Sequence, residues 1–93
     1  MIEIIVNSKH KKSLLELEKI ENILNREKIE YRVLKTSETK NAQKLMDEAS
    51  SNQIIVIGGD GTINEVINNY HEEDIIYLGQ GSGNDLARSL QLE

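Results

Sequence analysis

Three glycines and a carboxylate sit together at residues 58–61, within the stretch "IIVIGGDGTINEVI" (54–67). Gly58, Gly59 and Gly61 lack a Cβ, so the chain there can take positive φ values and approach a ligand closely. The helical pattern that follows would present unpaired N–H groups and a positive dipole end over residues 61–64. An apolar run, a glycine corner and a helix start therefore make an anion site out of backbone, of the type that cradles phosphate. Asp60, in the middle of it, needs a reason. A carboxylate beside a phosphate is repelled unless a cation or a donor hydroxyl lies between them. Mg²⁺ fits the first case, because it binds through one or two carboxylates plus phosphate oxygens and waters. A ligand hydroxyl, such as that of a ribose, fits the second. Both suit a nucleotide better than a bare phosphate ion. The plainer alternative is helix capping. Thr62 and Glu65 have capping-box spacing, Ser82 and Asp85 nearly repeat it, and Asp60 as an N-cap would contribute about 1 kcal/mol.

The corner must be positioned by its neighbours, and the chain alternates in a way that does so. "IEIIVN" (2–7) reads as a strand. Residues 12–28 read as a helix with Leu14, Leu17, Ile20 and Leu24 on one face. "YRVLKT" (31–36) alternates enough to be an edge strand. Ala42, Leu45, Met46 and Ala49 mark a second helix, with Met46 in the core. "QIIVIG" (53–58) is apolar without alternation, as expected of a central parallel strand covered on both faces. Ile63, Val66, Ile67 and Tyr70 repeat the helical spacing, "IIYLG" (75–79) is a fourth strand, and "NDLARSL" (84–90) begins a last helix.

Strand–helix alternation implies a parallel sheet with crossover helices. Right-handed crossovers limit the topology, and the Ile/Val-rich first and third strands belong in the middle. The expected order is 2-1-3-4, with the switch point between strands one and three. Ligands of open α/β sheets bind beyond the carboxyl ends of the strands at such a point. The loops there are 7–12, 36–39, 58–62 and 79–83, and all carry small or polar residues. A basic cluster, Lys9, His10, Lys11 and Lys12, lies at the same edge, either as a solvated helix start or as part of a ligand surface.

Bulk properties narrow the partners. The 93 residues make one small domain or part of a larger one. A net charge of −5 and 3% aromatic content argue against nucleic acid, which needs clustered Lys and Arg and stacking platforms. No cysteine is present, so thiolate metal sites and disulfides are excluded. No apolar run would span a bilayer, and the N-terminus lacks signal-peptide order. A cytoplasmic protein is expected. His71, among acidic residues, reads as surface, and neither a Ser-His-Asp arrangement nor a metal-spaced His pair occurs. The corner itself is neither a Walker A loop nor the dinucleotide fingerprint.

"GGDGTINEV" followed by "GQGSGNDLARSL" resembles the diacylglycerol kinase catalytic-domain family, which includes bacterial lipid kinases and the sphingosine and ceramide kinases. Gly58 to Thr62, Asn64 and Glu65 match its first block. In its second block Gly81, Gly83, Asn84, Asp85, Ala87 and Arg88 match, while Gly79 replaces a proline and Ser82 a threonine. Asn7 matches an Asn-Pro that ends the family's first strand, with Ser8 in place of the proline, and the usual glycine just beyond is missing. Thr36 matches a threonine near the nucleotide. The resemblance covers nearly the whole chain. It implies a three-layer open sheet of about four strands, a Rossmann-like α/β fold shared with NAD kinases and phosphofructokinases.

The resemblance also implies ATP with Mg²⁺ at this edge. The binding residues would be Asn7, Thr36, Gly58, Gly59, Asp60, Gly61, Thr62, Asn64, Glu65, Ser82, Gly83, Asn84 and Asp85, with Asp60 toward the metal. The γ-phosphoryl would pass to a lipid hydroxyl such as that of diacylglycerol, a chemistry of positioning and charge neutralisation. Members carry a second, β-rich domain that supplies the likely base and much of the lipid site. The 93 residues thus read as the N-terminal nucleotide-binding half, inactive or nearly so alone. Further expectations are peripheral contact at the inner membrane face and self-association through an exposed sheet edge. Two other readings are an NAD kinase-like fragment, which would not share "GSGNDLAR", and a non-catalytic module that binds nucleotide or a partner.

Overall fold

Residues 1–69 and 73–78 are described by the computed structural model of the chain. The elements run β1 (Ile2–Val6), α1 (Lys11–Arg26), β2 (Tyr31–Lys35), α2 (Ala42–Glu48), β3 (Gln53–Ile57), α3 (Asp60–Asn68) and β4 (Asp74–Leu78). The expected last helix (84–90), the 79–83 loop, Tyr70 and His71 lie outside the described residues.

The sheet is parallel throughout and has the order β2-β1-β3-β4. The two Ile/Val-rich strands are central, as their unbroken apolar runs require. Every residue of β1 is buried, as are four of the five in β3. The crossover through α1 runs one way along the sheet, and those through α2 and α3 run the other. Right-handed connections in opposite directions place helices on opposite faces. One core layer joins Ile2, Ile4, Val6, Ile55, Ile57 and Leu78 to Leu17, Ile20 and Leu24 of α1. The other joins Ile5, Ile54 and Val56 to Ala42, Leu45 and Met46 of α2 and to Val66 of α3.

Two helical faces differ from the expected ones. In α1 the buried stripe runs through Ser13, Glu16, Leu17, Ile20 and Leu24, and Leu14 is 36% exposed. Ser13, small and next to Leu14 in the chain, takes the buried position instead. In α3, Thr62 and Val66 are buried while Ile67 is 57% exposed. Here the first turn is anchored by a polar contact at Thr62, which rotates Ile67 outward.

Glu3 is fully buried inside the central strand. Its register partner on β2 is Arg32, which donates to Oε2 through both Nε (3.0 Å) and Nη2. The amides of Ser50 (2.7 Å) and Ser51 donate to Oε1. Burial pushes this carboxyl up, but the Arg32 hydrogen bond and the Ser51 and Ser50 amides outweigh it. They hold it below its ordinary value of 4.5. The amino ends of β1 and β2 and the α2–β3 connection are thereby tied at one charged group.

Candidate functional site

The carboxyl ends of β1, β2 and β3 meet around Asn7. This side chain donates from Nδ2 to Thr62 Oγ1 (3.3 Å). Its Oδ1 accepts from the Lys9 amide (3.0 Å) and, at 3.5 Å, from Thr36 Oγ1. Thr36 Oγ1 also accepts from the Ser8 amide (3.1 Å), and Ser8 Oγ donates to the Thr36 carbonyl. Backbone bonds continue the lacing, from Asn7 N–H to Ile57 O and from Thr36 N–H to Val6 O, each 3.0 Å. Three loops that the topology brings to one edge are thus held by the short polar side chains of Asn7, Ser8, Thr36 and Thr62. A proline at position 8 would lack the N–H and the hydroxyl, so Ser8 adds a tie between β1 and β2 that a proline cannot make.

The glycine corner sits beside this network. Gly59 is the N-cap of α3, with φ −94° and ψ −169°, and it caps without a side chain. Positive φ values are therefore not what the glycines supply here. Gly58 is required by packing, because a Cβ there would lie 2.6 Å from Thr62 Oγ1 and 2.8 Å from Thr62 Cβ. Gly59 and Gly61 have nothing within 4 Å of where a Cβ would be, so their smallness leaves open space at the rim.

Neither expected capping arrangement is present at this helix. Asp60 is the first helical residue rather than the cap, and Thr62 spends its hydroxyl on Asn7. The Gly59 carbonyl accepts from the amides of Thr62 (3.1 Å) and Ile63 (3.2 Å). That leaves the N–H groups of the first turn up to Gly61 without intrahelical carbonyls. The carboxylate of Asp60 is exposed beside them.

A groove of about 100 Å³ at this edge is lined by Asn7, Lys9, Thr36, Ser37, Asn41 and Glu65. Of the expected site residues, Asn7, Thr36 and Glu65 line it, Thr62 braces its wall and Gly58 packs beneath Thr62. Gly59, Asp60 and Gly61 form the adjacent rim. Asn64 is exposed on α3 and does not line the groove. Ser82, Gly83, Asn84 and Asp85 lie outside the described residues. Ser8, Lys9, Ser37 and Asn41 were not among the expected site residues. Ser8, Lys9 and Ser37 stand in the polar loops 7–12 and 36–39 already placed at this edge, which is the signal for them; Asn41 lies outside those loops.

A larger cavity of about 500 Å³ opens at the opposite edge, among Met1, Ser50, Ser51, Asn52, Gln53 and Asp74. The smaller groove is the candidate site, because it lies at the switch point beyond the strand carboxyl ends and adjoins helix N–H groups without intrahelical partners. Among the described residues no group of three or more His, Cys, Asp or Glu side chains could hold a metal ion.

The model of the diacylglycerol kinase catalytic domain matches residues 2–93. The Bacillus subtilis (strain 168) protein named "Putative lipid kinase YtlR" is 32% identical over 93 residues, covering 90% of this chain and 30% of that protein. The chain therefore spans under a third of the length of that relative. No solved structure matches. The chain belongs to the diacylglycerol kinase catalytic-domain family.

Proposed function

We propose that this member of the diacylglycerol kinase catalytic-domain family binds ATP at the carboxyl edge of its sheet, as the nucleotide half of a lipid kinase. The observation that carries the reading is the junction of Asn7, Thr36 and Thr62 beside an open glycine rim. The phosphates would rest on the first-turn N–H groups at Gly59 to Gly61, where no Cβ stands in the way. Asn64, Glu65 and the Ser82–Asp85 block complete the proposed binding set.

Mg²⁺ suits an exposed carboxylate at the rim of a phosphate site, since it needs few protein ligands and keeps waters. Asp60 would hold it, and the ion would neutralise charge on the phosphate oxygens. A ribose hydroxyl donating to Asp60 is the other role the same geometry serves. The acceptor would be a lipid hydroxyl such as that of diacylglycerol. A β-rich domain elsewhere in the full protein would supply the base that the reaction needs.

Two surfaces bear on partners. Lys9, His10, Lys11 and Lys12 are all exposed at the same edge, and Leu15, one turn on, is 52% exposed. We assign this face to peripheral contact with an anionic membrane, where each Lys near the surface contributes about 1 kcal/mol. No helix among the described residues is long and apolar enough to cross a membrane. β4 has β3 as its only strand neighbour among the described residues, and self-association through its other edge follows the same logic.

Calorimetric titration with ATP, with and without Mg²⁺, tests the reading in the wild type and in Asp60→Asn. Binding that tightens with Mg²⁺, with the gain lost in Asp60→Asn, supports the metal role. Equal binding with and without Mg²⁺, weakened by Asp60→Asn, supports the ribose role. No binding of ATP by the wild type refutes the nucleotide reading.

A further inference from the structure

Tyr77, near the end of β4, donates its hydroxyl to the carbonyl of Gly58 (3.0 Å). Gly58 is the first residue of the corner, just past β3, and Tyr77 belongs to none of the elements that the nucleotide reading uses. Tyr77 is 41% exposed, so the contact is not a by-product of core packing. β4 pairs with β3 in a register that sets Tyr77 opposite Val56 and Leu78 opposite Ile57. The side chain therefore reaches forward along the sheet to the first residue beyond its partner strand.

The consequence follows from the peptide unit. A trans peptide is planar, and its C=O and N–H point in opposite directions. The Gly58 carbonyl and the Gly59 N–H belong to one such unit. A hydroxyl bonded to that carbonyl therefore fixes the direction of the Gly59 N–H on the other side. Gly58 and Gly59 carry no side chains to resist rotation of this plane, so an external tether matters more here than elsewhere. The next peptide is already fixed, since the Gly59 carbonyl accepts from Thr62 and Ile63. Without Tyr77, the Gly58–Gly59 plane is the loose one at the rim.

We propose that Tyr77 is a positioning residue, which holds the Gly59 N–H aimed at the anion that the corner receives. It touches the loop and not the ligand. The inference rests on the nucleotide reading for the identity of that anion, and on the hydrogen bond alone for the geometry.

The test compares the wild-type chain with Tyr77→Phe, which keeps the ring and removes the hydroxyl. In the ligand-free proteins, the Gly58 carbonyl and Gly59 amide NMR signals should move while those of Leu17 and Ile20 in α1 stay in place. At a temperature where both proteins are fully folded, ATP should bind Tyr77→Phe about fivefold more weakly, the worth of roughly one net hydrogen bond. A merely structural hydroxyl would lower the melting temperature without changing the affinity of the folded protein. An unmoved Gly59 amide, or unchanged ATP affinity, overturns the inference. Absence of ATP binding by the wild type refutes the nucleotide reading, and with it the role of Tyr77 toward a ligand. The ligand-free shifts distinguish that failure from a failure of the geometry.

Discussion

Gly58→Ala probes how the strand end and the helix start are locked together. The added methyl would lie 2.6 Å from Thr62 Oγ1, 2.8 Å from its Cβ and 3.1 Å from its Cγ2. None of these is the free end of a flexible chain. Thr62 is buried and β-branched, stands in the first turn of α3, and has its hydroxyl held by Asn7. Relief requires moving α3 off the sheet or breaking the bond to Asn7. Overpacking of this kind costs about 1–3 kcal/mol. At roughly 4–8 °C per kcal/mol for a domain of this size, a cost of about 2 kcal/mol lowers the melting temperature by some 8–16 °C. Gly61→Ala is the control, because its methyl enters open space. Placed in a helix, it should leave stability unchanged or raise it by about 0.5 kcal/mol, while weakening ATP binding at the rim. Thermal and urea melts followed by circular dichroism read both variants. Gly58→Ala with wild-type stability would refute the close packing of Gly58 on Thr62.

Glu3→Gln should cost about 1.5–3 kcal/mol at neutral pH, because hydrogen bonds to a charged group are lost. Since the folded-state pKa of Glu3 is lowered, its contribution is full above the unfolded value and is lost as pH falls through the folded one, below about 4.5. Urea titrations from pH 6 to pH 3 should show the wild type losing more stability than Glu3→Gln, so that the two curves converge in acid. Lys28, just past α1, has φ 57°, in the left-handed region where a helix exit favours glycine. Lys28→Gly should therefore stabilise the chain by about 0.5–1 kcal/mol in the same melts, the strain relieved exceeding the added chain entropy.

The strand order was legible because Ile4, Ile5, Val6 and residues 54–57 form unbroken apolar runs, which only doubly covered strands tolerate. The helical faces at Leu14 and Ile67 were not. Periodicity locates a stripe to within a residue, and the burial of small Ser13 and the polar contact of Thr62 decide the rest. Glu3 could not be placed in advance, since its burial depends on a register partner 29 residues away at Arg32. The capping reading of Thr62 failed for the same reason, because its partner Asn7 is 55 residues distant. Asn7 and Thr36 stood in polar loops at the carboxyl edge and also matched family residues, and the structure adds the bond that brings them together. Gly58, Gly59 and Gly61 were visible as a group, but their separate tasks, packing for one and open space for two, required coordinates.

A nucleotide bound at the carboxyl edge would change the surroundings of the amides at the glycine rim. Amide NMR during titration of the chain with ATP and Mg²⁺ tests it most directly. The account predicts shifts at Gly59, Asp60, Gly61 and Thr62, with smaller ones at Asn7 and Thr36. Shifts confined to Ser51, Asn52 and Gln53 around the opposite cavity, or none at millimolar ATP, would contradict it.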